Sequence, residues 1–188
     1  MHPLETCPRE KTLMRQQIRR EFKVYQRLGP HPRFIRMLGL DTACDGEQGI
    51  ILEYMPKGDL HEFLQSDASI SMERRLQWCV EAATAVEFLH SLDIIHADIR
   101  PQNLLLDQNL GLRLIDLAGA SIDGKEPLSF ESTRFFLSRD CWDRAVVSVT
   151  TDLFALGSSF YEIITGKLPY PELKSDEIEA RYARQEFP

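Results

Sequence analysis

The 188-residue sequence predicts an α+β fold of two unequal lobes. Three observations carry this. One amphipathic helix and two short strands account for the first 55 residues. Helical periodicity dominates from residue 71 onward. A stretch over 119–149 has no clear period, and loops of that length usually carry function. Strands and helices do not alternate along the chain, which argues against a doubly wound parallel sheet.

The elements follow in order. Met14, Ile18, Phe22, Tyr25 and Leu28 recur at helical spacing over Pro8 to Leu28, and Gly29-Pro30 is a stop signal. Phe34 to Leu40 and Gly49 to Met55 read as strands joined by the turn-rich 41–46. Asp59 can cap a short helix through Gln65. Ser71 can cap a helix over Ser71 to Leu92, with an apolar stripe of Leu76, Val80, Ala83, Val86 and Leu89. Leu104 to Leu106 and Leu112 to Ile115 read as a short strand pair. Thr151 to Thr165 is a buried helix stopped by Gly166, and Ser175 to Glu186 is a polar one.

Composition narrows the classes. The hydrophobic fraction of 43% and charged fraction of 27% are ordinary for a globular protein. A net charge of −7 speaks against a nucleic-acid footprint, which needs a clustered basic surface. The basic run Arg15 to Arg20 reads as a solvated helix face. The first thirty residues hold no apolar h-region, and no run approaches the ~18 apolar residues of a membrane span. Cys7, Cys44, Cys79 and Cys141 show no C-x-x-C spacing, so free thiols in a cytoplasmic or nuclear setting are expected.

The chemistry concentrates in two stretches, His96-Ala97-Asp98-Ile99-Arg100-Pro101-Gln102-Asn103 and Asp116-Leu117-Ala118. Phosphoryl transfer needs a carboxylate at the attacking hydroxyl, a cation near the transferred phosphate, and an amide and second carboxylate for magnesium. Asp98, Arg100, Asn103 and Asp116 offer those groups in that order. A lone loop aspartate more often caps a turn. The set of four, spaced around a strand pair, is much harder to explain that way.

These stretches resemble the H-R-D-x-K-x-x-N catalytic loop and D-F-G metal site of the eukaryotic protein kinase family, serine/threonine type. The resemblance implies a two-lobed kinase-like fold with an incomplete small lobe over 1–55 and a mainly helical larger lobe over 56–188. It implies ATP and Mg²⁺ as cofactors and a protein hydroxyl as substrate. Asp98 would be the base, Arg100 the charge stabiliser, and Asn103 and Asp116 the metal ligands. His96 would brace the loop. Ala97 replaces an arginine that reads a phosphate on the activation loop, so switching through that contact is not expected. Ala118 and Leu117 stand for the family's glycine and phenylalanine.

The match extends outward from this centre. Glu21 resembles the helical glutamate that pairs with the ATP-contacting lysine. Leu52 to Leu60 resembles the interlobe hinge, with backbone groups of Glu53 and Met55 at the adenine edge and Leu105 beneath the ring. Ser132 to Asp140 sits where the family has G-T-x-x-Y-x-A-P-E; Thr133 and Asp140 fit. Asp152-Leu153-Phe154-Ala155-Leu156-Gly157 resembles D-x-W-x-x-G, and Asp152 would brace the catalytic loop from below. No G-x-G-x-x-G occurs, and no V-A-x-K strand precedes Glu21. A truncated or divergent kinase is the leading expectation. A non-enzymatic pseudokinase is the second, and a small-molecule phosphotransferase of the aminoglycoside- or choline-kinase type the third.

Overall fold

The computed structural model describes residues 8–42, 48–66, 69–138 and 146–188. Helix α1 (Pro8–Leu28) buries only its C-terminal half, through Val24, Tyr25 and Leu28. Met14, expected on the buried stripe, is exposed. Gly29 ends the helix at φ 60° and donates to the Tyr25 carbonyl at 3.2 Å, a conformation glycine adopts without Cβ strain.

Strands β1 (Met37–Thr42) and β2 (Gln48–Leu52) form an antiparallel pair, Leu40 opposite Ile50, with a bulge between Met37 and Gly39. The ladder starts later than Phe34 because that residue makes an isolated parallel bridge to Leu114. It stops before Glu53 because the chain there turns into a connecting segment. The pair has no third strand among the described residues, and Leu38, Leu40 and Ile51 are exposed. The turn after α1 is pinned by aromatic contact, His31 stacking on Phe88 at 4.0 Å between centroids.

Helix α2 (Leu60–Gln65) begins at Asp59, whose carboxylate accepts from the Glu62 N–H at 2.9 Å. Helix α3 (Met72–Ser91) is capped by Ser71, its hydroxyl accepting from Arg74 N–H. The buried face of α3 differs from the expected stripe. Leu76 and Val80 are 54% and 63% exposed, while Trp78, Ala82, Ala85, Val86 and Leu89 are buried. Trp78 decides the rotation: its ring meets Phe63 edge-on at 5.9 Å and its Nε1–H donates to the Leu110 carbonyl at 2.8 Å. Glu81 turns inward on the same helix and is satisfied there, accepting from the Leu112 N–H at 2.8 Å and pairing with Arg33 at 3.0 Å.

Strand β3 (Ile94–Ile95) follows α3. Strands β4 (Leu104–Leu106) and β5 (Leu112–Leu114) pair antiparallel as expected. The aperiodic stretch holds a short strand, β6 (Ser121–Ile122), which pairs with β3, Ile94 opposite Ile122. Two-residue strands leave no period to detect, so only the tertiary contact reveals them. Helix α4 (Val149–Thr165) opens on a Ser148–Thr151 capping box and closes on Gly166 at φ 73°. It packs against α3 at the centre of the core. Helix α5 (Ser175–Ala183) stops three residues short of Glu186, where Arg184 and Glu186 pair instead. No helix among the described residues is long and apolar enough to cross a membrane. Cys79 is a half-buried free thiol; the other three cysteines lie outside the described residues.

The rotation of α3 is testable. Trp78→Ala should cost about 3–5 kcal/mol, whereas Val80→Ser should change stability by no more than about 0.5 kcal/mol. Urea midpoints of the two variants measure this; a large loss at Val80 would restore the stripe read from the sequence.

Candidate active site

The geometry starts from one buried carboxylate. Asp152, fully buried on the first turn of α4, accepts from the backbone N–H of His96 at 2.9 Å and of Ala97 at 3.0 Å. It also pairs with His90 Nε2 of α3 at 2.9 Å. Three groups that would otherwise be unsatisfied are thus met by one side chain. Ala97 sits at φ 68°, an uncommon conformation for a residue with a Cβ, and both neighbouring bonds hold it there. His96 is buried between Ile115 O, which accepts from its Nε2 at 2.9 Å, and the Asp98 N–H, which donates to its Nδ1 at 3.2 Å. Those partners select the tautomer protonated on Nε2.

Asp98, Arg100 and Asn103 are brought together by this loop and the 3-10 turn Pro101–Asn103. Asn103 is buried, and its Nδ2 donates to the Asp98 carbonyl at 2.8 Å and to Asp98 Oδ2 at 3.2 Å. Arg100 Nε stands 3.5 Å from Asp98 Oδ2, an ion pair without hydrogen-bond geometry. The other oxygen, Asp98 Oδ1, is buried and has no hydrogen-bond partner among the described residues. Burial raises the Asp98 pKa above its ordinary value, opposed chiefly by the Arg100 charge.

Asp116 follows β5 and is exposed, at φ 61°. Its neighbour Ile115 is fixed on both sides, donating its N–H to Asn103 O at 3.0 Å and accepting from His96. Leu117 is fully buried, so the apolar plug expected there is present. The Leu117 backbone N–H lies close enough to the Glu21 carboxylate on α1 to favour its charged form. The Glu21 pKa is pushed up to about 6, first by burial and then by the Asp116 charge. No lysine or arginine pairs with Glu21 or Asp116 among the described residues. One turn along α1, the Tyr25 hydroxyl is buried without a partner.

Glu53 and Met55 lie on the segment leaving β2. The Glu53 N–H donates to Arg36 O at 2.9 Å, and its carboxylate accepts from the Arg36 N–H at 2.8 Å. Met55 is buried and its carbonyl accepts from Gly58 N–H at 3.3 Å. The Glu53 carbonyl and the Met55 N–H have no partner among the described residues. Leu105 is half-buried on β4 and bridges to Asp59. Thr133 begins the 3-10 turn Thr133–Phe135, anchored toward α5 by Tyr182 Oη donating to Arg134 O at 3.0 Å. No hydrogen bond links Thr133 to the Asp98 loop among the described residues. Asp140 lies outside the described residues.

Three contributors escaped the sequence reading. His90 completes the shell of Asp152, and a lone helical histidine gives no hint of that. Gly119 carries a close approach to Ser129: a Cβ there would lie 1.6 Å from Ser129 Oγ and 2.6 Å from its Cβ. The signal was a glycine one place beyond the expected position, next to Ala118. Arg20, part of the run read as solvated, turns inward to the loop after Asp116, while Arg15 and Arg19 are exposed.

The donor chemistry suits magnesium. An amide oxygen on Asn103 and the Asp116 carboxylate are hard oxygen donors, and Mg²⁺ is commonly held by one or two such groups together with waters and substrate phosphates. No closed group of three or more His, Cys, Asp or Glu side chains occurs among the described residues, so the donor set is of this sparse kind. A locked loop that presents a buried carboxylate oxygen beside such donors fits the chemistry of phosphoryl transfer.

The protein kinase domain family model matches residues 6–187, and the chain belongs to that family. It is 29% identical over 179 residues to Aurora kinase A-A of Xenopus laevis, covering 95% of this chain and 44% of that protein. It is 29% identical over 170 residues to an Aurora kinase of Encephalitozoon cuniculi, covering 89% and 61%. It is 32% identical over 143 residues to human ribosomal protein S6 kinase alpha-3, covering 74% and 19%. The chain thus spans less than two thirds of the length of these relatives. The fold is the α+β kinase-like fold of the family, with two strands beside α1 among the described residues, as expected.

Two substitutions test how the site is held. Asp152→Asn leaves at least one of the buried His96 and Ala97 N–H groups facing an amide donor and should cost about 2–3 kcal/mol. Gly119→Ala should cost about 1–3 kcal/mol through the forced shift of Ser129. Thermal unfolding checks both; an unchanged melting temperature for Asp152→Asn would show that the carboxylate does not hold the loop.

Proposed function

We propose that the chain is a serine/threonine protein kinase-like domain that binds Mg-ATP and transfers the γ-phosphoryl to a protein hydroxyl. The observation that carries this reading is the buried, unpartnered Asp98 Oδ1, on a loop fixed by Asp152 and Asn103 and set beside Asp116. Residues 1–55 form the smaller lobe on this reading and 56–188 the larger.

Bound Mg-ATP supplies the transferable phosphoryl and the charge that neutralises its oxygens. The residues do the rest. Asp98 orients the attacking hydroxyl and receives its proton as the new O–P bond forms and the bond to the leaving phosphate breaks. Its raised pKa, set by burial, favours that proton transfer. Arg100 places a cation near the transferred group. Asn103 and Asp116 hold the metal. The Glu53 carbonyl and Met55 N–H are free to meet the adenine edge, with Leu105 under the ring. The His96 and Asp152 contacts keep Asp98 from swinging out, and Thr133 shapes the platform for the protein substrate. The position of Arg100 supports the serine/threonine assignment. A cytoplasmic or nuclear setting, and no nucleic-acid or membrane partner, belong to the same reading.

A second reading has a specific observation in its favour. Among the described residues Glu21 has no cationic partner, which fits a domain that binds partners without transferring phosphate.

Transfer of labelled γ-phosphate to a generic basic protein separates the two. With Mg-ATP the chain should show transfer that Asp98→Asn lowers by about 10²–10⁴-fold. ATP should raise the melting temperature only when Mg²⁺ is present, and Asp116→Asn should abolish that rise. A folded, monodisperse chain with neither transfer nor a Mg²⁺-dependent shift would leave the non-enzymatic reading.

A further inference from the structure

We propose that Arg20, Lys23 and Arg27 of α1 form a strap that holds the turn 120–126, with Asp123 as its permanent acidic buckle, and so positions the Asp116–Leu117 segment. The three residues are spaced three and four apart, which puts them on one face of the helix. Arg20 Nη1 donates to the carbonyl oxygens of Ala120 and of Glu126, the latter at 3.1 Å. Arg27 Nη2 meets Asp123 Oδ1 at 2.6 Å, and Lys23 Nζ meets Asp123 Oδ2. Both oxygens of one carboxylate are therefore held by two different cations from one helix.

The turn is built to present that carboxylate. Asp123 and Gly124 are consecutive left-handed residues, at φ 57° and 66°, and Lys125 N–H closes back on Ile122 O at 3.1 Å. Asp-Gly is a favoured pair for two consecutive left-handed residues, so the turn forms locally and leaves the Asp123 carboxylate for the cations of α1 to grip. The two cations also hold its carboxyl well below the usual range, at about 2. Ile122 pairs with Ile94, and β3 runs directly into His96. The strap thus links α1 to the catalytic loop through β6 and β3. Beside Arg20, Glu21 faces the Leu117 backbone N–H, an approach that the strap keeps in place.

This deepens the proposed function and rests on that reading of the site. Ala97 provides no cation at the catalytic loop. The cations that grip the loop come from α1, and they grip a carboxylate that no phosphatase can remove. This grip on the turn 120–126 needs no phosphate. Exposed ion pairs are individually weak, so the strap works as a network: two pairs on one carboxylate, plus the half-buried Arg20 bonds to main-chain oxygens.

Hydrogen exchange on the full chain, read by peptide, tests the strap without requiring activity. Asp123→Lys should speed exchange at 117–126 by about three- to tenfold, leaving α3 amides around 82–89 unchanged. Adding Lys23→Glu and Arg27→Glu to that variant should restore the slow exchange, which a merely disrupted loop would not do. Unchanged exchange in Asp123→Lys, or failure of the charge swap to restore it, overturns the proposal. If Asp123→Lys also loses α3 protection, the unsubstituted chain decides. Raising salt from about 0.01 M to 1 M shortens the screening length from about 30 to about 3 Å. Selective loss of protection at 117–126 then supports the strap, and no selective loss overturns it. A chain that lacks phosphoryl transfer but shows this pattern would separate failure of the kinase reading from failure of the strap.

Discussion

Asp152 is the side chain on which the site depends. Its carboxylate sits without solvent contact between α3, α4 and the loop after β3, and its two oxygens meet two backbone N–H groups and one imidazole. A buried charge is costly unless hydrogen bonds replace the lost water. Here those bonds are the ones that give the His96–Asp98 loop its shape. The core helix α4 and the chemistry-bearing loop therefore cannot move independently. The tautomer of His96, the position of Ile115 and the aim of Asn103 all follow from a loop fixed at that point.

Backbone strain marks the same region. Ala97, Asp116 and Asp123 all lie at positive φ, which is uncommon for alanine and better tolerated by aspartate. Each is held by a distinct set of contacts: Asp152 at Ala97, the fixed Ile115 next to Asp116, and the α1 cations at Asp123. A left-handed residue in each case re-aims the chain within one position, so that neighbouring groups face the site. Conformations of this kind persist only where the surroundings over-determine them.

The helix α1 reaches the site in an unusual electrostatic state. Glu21 and Asp116 repel one another, and no lysine or arginine pairs with either carboxylate among the described residues. The contact that remains for Glu21 is a backbone N–H. The basic residues of α1 are spent one helical face away, on the turn after Asp116. Among the described residues the small strand pair beside α1 has no third strand and leaves Leu38, Leu40 and Ile51 exposed, so this part of the fold buries less apolar surface than the helical part.

The elements with strong local signals could be read directly. Helix α1 ends where Gly29 stops it, α3 starts at its Ser71 cap and α4 ends at Gly166, because caps and left-handed glycines act on nearest neighbours. The residue set Asp98, Arg100, Asn103 and Asp116 could be read too, since order and spacing carry it. Local pattern failed where a choice depended on distant chain. The inward face of α3 was set by where Trp78 could place its ring and its N–H, not by the apolar stripe through Leu76 and Val80. The β3–β6 pair is too short to leave a period. The roles of His90, Gly119 and Arg20 arise from partners at Asp152, Ser129 and Ala120, far away in sequence. Sequence alone determined which groups are present and where helices begin and end, because those depend on residues a few positions apart. Only the tertiary structure decided which buried donors and acceptors meet, because that pairing follows from how the helices pack.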